Sequence, residues 1–343
     1  MDKKGEISFL NVILCLMVIF IHVTSAAIYN LSPTCGSVIV LYALYKFCGF
    51  AVYGFVFLSG MKLFLNKSGV VNLKSYYVSR FKKIYIPYIL FTVIYYLFKI
   101  RFVFYDPSYT FNMKDLLLYI LNGNVECHLY FIIIIMQFYL LLPFWHYLTG
   151  FKAKIVLPVA FIINVICALV FSFYVFNDRI FTTYLFYWIL GCFCGKYYER
   201  FKNFLAEKRK NIIWIYVIFC VLNIMLSYLS YTKILPVDAE LMEIINILFC
   251  IASVIFFYKL SFKVYKWKIF DNRFVNAISN ASFEIYLSHI LFVHMINRKL
   301  HFTKGLGVID AYIIRFVFVY IVGIAACLIY KKAISMLKCK INK

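Results

Sequence analysis

Long apolar runs, separated by short polar stretches rich in Lys and Arg, follow one another along the whole chain. Each run is about 17 to 24 residues long, the length that an α-helix needs to cross a hydrocarbon core of about 30 Å. The pattern predicts an all-α fold, a polytopic transmembrane helix bundle of about ten spans. No connection is long enough for a soluble domain, so we expect one membrane-embedded domain over residues 1–343. The predicted spans are residues 7–28, 47–65, 84–104, 129–148, 154–176, 180–196, 212–231, 243–262, 279–297 and 309–330.

Two of these spans have less regular patterns. Residues 38–45 are also apolar, and we assign them to an outer amphipathic segment that precedes the second span. The ninth span is the weakest, because Glu284, His289 and His294 interrupt it. Ionisable residues are costly in hydrocarbon, so those inside a span need partners within the bundle.

Composition supports a membrane protein. The chain has 343 residues, a mean hydropathy of +0.87, 65% hydrophobic residues and 15% charged residues, which excludes an ordinary soluble domain. A net charge of +22 on a soluble protein would suggest nucleic acid as a partner, but here the cations lie between apolar spans. With the amino terminus in the cytosol, about two thirds of the Lys and Arg residues fall on the inner side. We therefore predict that both termini are cytosolic and that the lipid bilayer, not nucleic acid, is the partner of these charges.

The 11 cysteines are scattered without the paired spacing of a metal site or a disulfide framework. We interpret them as small apolar residues of the helix interfaces and expect no metal.

A histidine in the first span is the leading candidate for chemistry. At about 100° per residue, Asn11, Cys15, Val18 and His22 share one helix face, and Asn11 and His22 are three turns or about 16 Å apart. His22 then lies in the outer half of the membrane. An intramembrane histidine is a functional hypothesis by default. The alternative is a histidine hydrogen-bonded to a neighbouring helix for packing alone.

Two further histidines are placed to approach the same level. His128 opens the fourth span at its outer edge, and His289 lies about halfway along the ninth. Ser282, Tyr286 and His289 share a face, since they are separated by four and three residues. Glu284 is on another face, so we do not pair it with His289. Two or three of these histidines are expected to converge on one cavity in the middle to outer membrane.

On the inner side, Arg80, Lys82 and Lys83 run directly into the third span. They are either an ordinary positive-inside anchor or a phosphate-binding cluster for an anionic cytosolic ligand. Ser59 and Gly60 lie near the inner end of the second span, where the glycine permits a close helix approach.

Together these stretches resemble the acyltransferase-3 family of bacterial membrane proteins, and they occur in the family's order over nearly the whole chain. Two positions differ: Asn11 stands where the family often has Arg, and the family's Arg-x-x-Arg appears here as Arg80-Phe81-Lys82-Lys83. The matching stretches are His22, Phe57-Leu58-Ser59-Gly60, Ile84-Tyr85-Ile86-Pro87-Tyr88, His128-Leu129-Tyr130-Phe131, Tyr187-Trp188-Ile189-Leu190-Gly191 and Ser282-Phe283-Glu284-Ile285-Tyr286-Leu287-Ser288-His289.

The resemblance implies an O-acyltransferase of the bacterial plasma membrane that uses cytosolic acetyl-CoA or another acyl-CoA. The acceptor would be a hydroxyl group of a cell-envelope glycan or of a lipid-linked sugar precursor. A neutral imidazole can act as general base or as acyl carrier. The roles implied are catalytic base or acyl carrier for His22, orientation of it or of the acceptor for His128 and His289, CoA phosphate binding for Arg80, Lys82 and Lys83, and lining of the donor path for Asn11 and Ser59.

Two non-enzymatic functions compete with this interpretation. A transporter or flippase of a glycan or envelope precursor would use the same histidines for proton relay or substrate binding, although such proteins usually have duplicated halves, and no duplication is evident here. A transporter should tolerate neutral residues at Lys82 and Lys83, whereas a CoA-dependent enzyme should lose donor affinity. A sensory membrane domain is less favoured, because no soluble output module accompanies the spans.

Overall fold

The computed structural model describes residues 5–65, 72–102, 110–171, 177–266, 272–301 and 306–341, and within these ranges all the regular structure is helical. The first eight α-helices are α1 (Gly5–Asn30), α2 (Gly36–Cys48), α3 (Ala51–Leu65), α4 (Leu73–Arg80), α5 (Ile86–Phe102), α6 (Met113–Asn122), α7 (Tyr130–Leu140) and α8 (Leu142–Leu148). The others are α9 (Ala153–Phe171), α10 (Leu185–Lys196), α11 (Tyr198–Glu207), α12 (Arg209–Tyr231), α13 (Ala239–Lys266), α14 (Asn272–His301), α15 (Val308–Phe318) and α16 (Ile324–Ile341). The prediction of an all-α bundle is confirmed.

Within the described residues, seven helical segments are long and apolar enough to cross a membrane. The bent pair α7 and α8, whose axes differ by 62°, adds an eighth if the pair forms one span. Eight of the ten predicted spans fall in these segments. The seven segments are Gly5–Asn30, Gly36–Leu65, Leu73–Arg101, Ala153–Phe171, Arg209–Tyr231, Ala239–Tyr265 and Val308–Leu337.

The sixth and ninth predicted spans do not stand out as apolar crossings. The sixth falls in α10, which has 12 residues and is about 18 Å long, too short for a core of about 30 Å. The ninth falls in α14, which has 30 residues but carries many polar side chains. Several of these polar groups contact α1, as shown below, so the low hydropathy of α14 reflects an interior face.

The described chain forms two compact units. The first comprises Met1–Phe55 and Lys202–Lys343, and the second is the inserted segment Val56–Phe201. The chain passes between them within α3 and again within α11. The expectation of one membrane-embedded domain stays a prediction.

Helix α1 is the central element of the first unit. It packs against α2, α13, α14 and α15, and its side chains Leu10, Leu14 and Val23 are completely buried. Twenty-six helical residues without an internal proline or a glycine after Gly5 allow an unbroken crossing. A helix that is apolar nearly all round is expected at the centre of a bundle.

Helices α1 and α14 are parallel. Asn11 of α1 contacts Ser279 and Ser282 of α14, and His22, eleven residues further along, contacts His289. Contacts that advance together along both helices define a parallel pair. This agrees with the assignment of α1 and α14 to odd-numbered spans, whereas the cytosolic placement of the termini stays a prediction.

In the second unit, α3 and α10 approach through glycines. A Cβ atom at Gly191 would lie 2.1 Å from the Phe57 carbonyl oxygen, and one at Gly195 would lie 2.4 Å from that of Met61. Glycines four residues apart on one helix allow two backbones to come this close. The close approach predicted at Gly60 is also present, since a Cβ atom there would lie 2.5 Å from the Trp188 carbonyl oxygen.

An aromatic core holds the second unit together. The Trp188 ring stacks on Phe138 at 4.5 Å between centroids, and Trp145 packs edge to face on Phe144 and tilted on Phe138. Trp188, Trp145 and Phe138 are completely buried. Aromatic pairs in offset or tilted geometry contribute beyond their buried area.

Candidate active site

The α1–α14 interface is polar near the amino-terminal ends of the two helices. The Asn11 side-chain amide donates to the Ser282 hydroxyl at 2.7 Å and lies 3.1 and 3.2 Å from the carbonyl and hydroxyl oxygens of Ser279. Asn11 is buried, and one turn further along Cys15 contacts the Ser282 carbonyl through its sulfur at 3.8 Å. The predicted common face of Asn11, Cys15 and His22 is therefore turned towards α14.

The same interface brings two of the three candidate histidines together. The ring centroids of His22 and His289 are 5.1 Å apart, with the ring planes inclined by 46°. His289 is 2% exposed, whereas His22 is half-buried. His22 is thus the more accessible member of the pair.

The helix backbone fixes the proton of His289. Its Nδ1 atom lies 2.7 Å from the Tyr286 carbonyl oxygen and 3.3 Å from that of Ile285. A carbonyl oxygen only accepts, so Nδ1 carries the hydrogen and the neutral ring keeps its lone pair on Nε2. The Tyr286 ring lies 6.0 Å from that of His289. The pair therefore combines a fixed imidazole with a more accessible one.

Two imidazolium cations at this separation would repel by about 3 kcal/mol at an effective dielectric constant of about 20. The pair is consequently suited to hold one transferred proton at a time. That is the property a general base needs if it takes up a proton and passes it on.

Polar residues of α14 that the pair does not use have other partners. Glu284 forms an ion pair with Lys331 of α16, in agreement with its placement on a separate face from His289. Arg315 of α15 donates through Nε to the Asn297 side-chain oxygen at 2.6 Å. We assign neither residue a catalytic role.

His128 lies in the second unit. It is buried, and its ring contacts the Tyr95 ring edge to face at 5.5 Å. Lys99 fixes the preceding turn, since its ammonium group pairs with the Glu126 carboxylate at 3.2 Å and donates to the Val125 carbonyl. The convergence of His128 with the other two histidines stays a prediction.

The Lys99–Glu126 pair was missed by the sequence analysis. The available signal was weak: Lys99 stands late in the third predicted span and Glu126 just before the fourth, which places both at the same membrane edge. Neighbouring antiparallel spans would bring such residues together.

The basic cluster also lies in the second unit, at a local change of helix geometry. Residues Phe81–Tyr85 form a π-helix between α4 and α5, and Lys82 and Lys83 in it are exposed. The Arg80 guanidinium lies 5.1 Å from the Tyr76 ring centroid and 4.7 Å from that of Tyr139. Short π-helical segments occur often at functional sites, and two aromatic rings hold the guanidinium in a defined position.

Ser59 is half-buried on α3, next to the glycine contact with α10.

A second π-helix, Val319–Gly323, joins α15 to α16, and its Tyr320 hydroxyl donates to the Leu16 carbonyl at 2.6 Å. The sequence contains no pattern that predicts either π-helix. The roles of Ser59 and Asn11 in a donor path stay predictions.

A bundle of membrane-spanning helices with a histidine pair inside it and a basic cluster at a span end defines a multi-pass membrane protein with an intramembrane polar site. The chain matches the acyltransferase-3 family, described as an acyltransferase domain, over residues 5–332. It belongs to this family of membrane acyltransferases, as the order of its motifs predicts.

The curated relatives carry a different description. A protein of Staphylococcus epidermidis named "Probable poly-beta-1,6-N-acetyl-D-glucosamine export protein" is 26% identical over 306 residues, which cover 84% of this chain and 80% of the relative. A protein of the same name from Staphylococcus aureus strain MSSA476 is 27% identical over 303 residues, covering 83% and 81%. No solved structure matches the chain significantly.

Proposed function

We propose that this protein is an O-acyltransferase of the bacterial plasma membrane. It moves an acetyl or other acyl group from cytosolic acyl-CoA to a hydroxyl group of a cell-envelope glycan or its lipid-linked precursor. The observation that carries the proposal is the contact between His22 and His289, 5.1 Å between ring centroids, inside the family's domain. The names of the staphylococcal relatives support a glycan as the substrate class.

His22 is the catalytic residue of the proposed reaction, because it stands at the position of the family's first-span histidine and contacts a second imidazole whose ring the backbone fixes. As a general base it takes the proton of the acceptor hydroxyl while the oxygen attacks the thioester carbonyl. A C–O bond forms, the C–S bond breaks, and the proton passes from His22 to the departing CoA thiolate. As an acyl carrier, His22 would itself attack the thioester and then pass the acyl group to the hydroxyl.

His289 orients His22 in either route. Its Nδ1–H bond to the Tyr286 carbonyl fixes the ring, and its ring contact limits the positions that His22 can take. For His128 the proposal keeps the role that the resemblance implies, orientation of His22 or of the acceptor.

The cytosolic end supplies the donor site. Arg80, held between two tyrosine rings, has the planar guanidinium that binds phosphate in bidentate fashion, and Lys82 and Lys83 add exposed positive charge. These three residues bind the CoA phosphates. For Asn11 and Ser59 the proposal keeps the role that the resemblance implies, lining of the donor path.

Transfer of radiolabel from acetyl-CoA in inverted membrane vesicles tests the proposal. We expect label to be transferred by the wild type and lost in His22→Ala and in a variant with Arg80, Lys82 and Lys83 all changed to Gln. Matched controls are His146→Ala, an exposed histidine, and Lys154→Gln, an exposed cation in the first turn of α9. Transfer at the wild-type rate by His22→Ala would refute the mechanism.

The relatives' name favours one second candidate, a glycan exporter or flippase. In that case His22 and His289 would bind substrate or relay protons. The two functions separate in one comparison: an exporter supports appearance of glycan outside the cell without consuming acyl-CoA. Wild-type vesicles that neither bind nor consume the donor, in cells whose glycan export depends on the protein, would replace the acyltransferase proposal with this one.

A further inference from the structure

A cavity of about 160 Å³ lies at the end of α1 beyond His22. It is formed by α1, α2 and α12, all within the first unit. Its polar and aromatic lining residues are Ser25, Tyr29, Tyr42, Tyr45, Lys46 and Tyr231. In the predicted topology this end of α1 is the outer one, so the cavity faces the side from which an envelope glycan would come.

The cavity lies on the face of α1 that carries His22. Ser25 and Tyr29 follow His22 by three and seven residues, so all three lie on one face of α1. Ser25 is about 4.5 Å further along the helix axis than His22, and its hydroxyl donates to the His22 carbonyl at 3.1 Å. Ser25, the lining residue closest to His22 in the helix, is therefore within one helical turn of it along α1.

The aromatic walls are held in place by their own hydrogen bonds. The Tyr42 and Tyr231 rings stack at 4.6 Å, and their hydroxyls donate to the carbonyls of Ser227 and Ile28. Tyr29 is 78% exposed and stands at the edge of the cavity. Preformed aromatic surfaces of this kind bind the apolar faces of ring-shaped ligands with little loss of side-chain entropy.

A charge pair supplies the polar groups. Lys46 lines the cavity, lies 5.6 Å from the centre of the Tyr42 ring, and interacts electrostatically with Glu243 of α13. Glu243 is not among the lining residues, but its negative charge offsets that of Lys46, so the cavity offers hydrogen-bonding groups without a strong preference for an anion. The chemistry fits an uncharged polyhydroxylated ring.

We infer that this cavity binds a neutral pyranose unit of the acceptor, an N-acetylhexosamine or hexose residue, and presents its hydroxyl to His22. The inference rests on the proposed function for the role of His22. The sugar's apolar face packs on the tyrosines, and its polar substituents bond to Lys46. The cavity thus selects the acceptor, whereas the basic cluster near α4 selects the donor.

Binding of a β-1,6-linked N-acetylglucosamine pentasaccharide to the purified full-length protein tests the inference by titration calorimetry. We expect Tyr29→Ala to weaken binding by up to about tenfold, the loss of one aromatic contact, and Lys46→Met to weaken it further. Tyr330→Ala, a 54% exposed tyrosine on α16, is the matched control and should bind like the wild type. Tyr29 is so exposed that its replacement leaves the fold intact.

The kinetic arm uses the same variants with acetyl-CoA and the pentasaccharide. Tyr29→Ala should raise the KM for the saccharide and leave the KM for acetyl-CoA unchanged. Equal saccharide affinity in wild type, Tyr29→Ala and Lys46→Met, or no binding to the wild type, would overturn the cavity assignment. A saccharide that binds in the cavity while no acyl group is transferred from acetyl-CoA or from other acyl-CoA donors would instead overturn the proposed function.

Discussion

Replacing Asn11 with Ala should destabilise the protein without touching the reacting groups. The Asn11 amide nitrogen lies within 3.2 Å of three oxygens on α14, belonging to Ser279 and Ser282. An NH₂ group has two hydrogens, so at most two of these contacts are full hydrogen bonds at once. The substitution removes the polar connection between α1 and the inner half of α14.

The structure sets the size of the effect. Interhelical hydrogen bonds in membranes contribute about 0.6 kcal/mol on average and about 1.7 kcal/mol at most, which gives about 1 to 3 kcal/mol for two. The Ser282 hydroxyl keeps a partner in the variant, because it also donates to the Ser279 carbonyl at 3.0 Å. The larger cost of a buried unsatisfied group therefore does not apply.

The free energy of unfolding in lipid bicelles, measured by steric trapping, provides the assay. Asn11→Ala, Ser282→Ala and the double variant form a cycle whose coupling energy should lie between about 0.6 and 1.7 kcal/mol. Asn30→Ala is the matched control: its amide bonds only the Ala26 carbonyl on the same helix, and it is exposed, so a change within about 0.5 kcal/mol is expected.

Two results would contradict this reasoning. A coupling energy near zero would mean that the amide and the hydroxyl do not interact in the membrane. Unchanged stability with a loss of acyl transfer would mean that Asn11 acts on the donor, the role that the family resemblance implies, and does not connect the two helices.

Two further substitutions test the second unit through thermal unfolding in detergent. Gly191→Ala should lower the free energy of unfolding by about 3 kcal/mol or more, because its Cβ would lie 2.1 Å from the Phe57 carbonyl oxygen, and a backbone atom cannot move away as a flexible side chain can. The control is Gly36→Ala, where a Cβ would meet nothing within 4 Å and stability should change by less than about 1 kcal/mol. Lys99→Met should cost about 1 to 3 kcal/mol by removing the cation that pairs with buried Glu126, and adding Glu126→Gln should recover much of it; no recovery would count against the ion pair.

The fold could be predicted from sequence because its main signal is local. Apolar runs long enough to cross a membrane locate helices whatever their neighbours. The spacing of Asn11, Cys15 and His22 showed which face of α1 carries its polar candidates. The common face of Ser282 and His289 follows from the same periodicity. Contact between these two faces is a tertiary property, yet it agrees with the prediction that the histidines converge.

Other features depend on partners that are distant in sequence. The polar side chains of α14 made it the weakest predicted span, since hydropathy cannot distinguish a polar face turned to another helix from one turned to water. The π-helices at Phe81–Tyr85 and Val319–Gly323 have no known compositional signal. The cavity beyond His22 requires side chains from α1, α2 and α12. Lys46 can be recognised as a lining residue only when the structure places Tyr42 and Tyr231 around the same cavity.

The parallel pairing of α1 with α14 also affects how the protein assembles during its synthesis. Asn11 and its partner Ser279 are 268 residues apart, and a ribosome adding about 5 to 20 residues per second needs about 10 to 50 s between them. Throughout that interval α1 is in the membrane while the Asn11 amide and the His22 imidazole lack their contacts with α14. A truncated or slowly translated chain would expose these groups to lipid, so quality-control proteases have a long period in which to find the first helix alone.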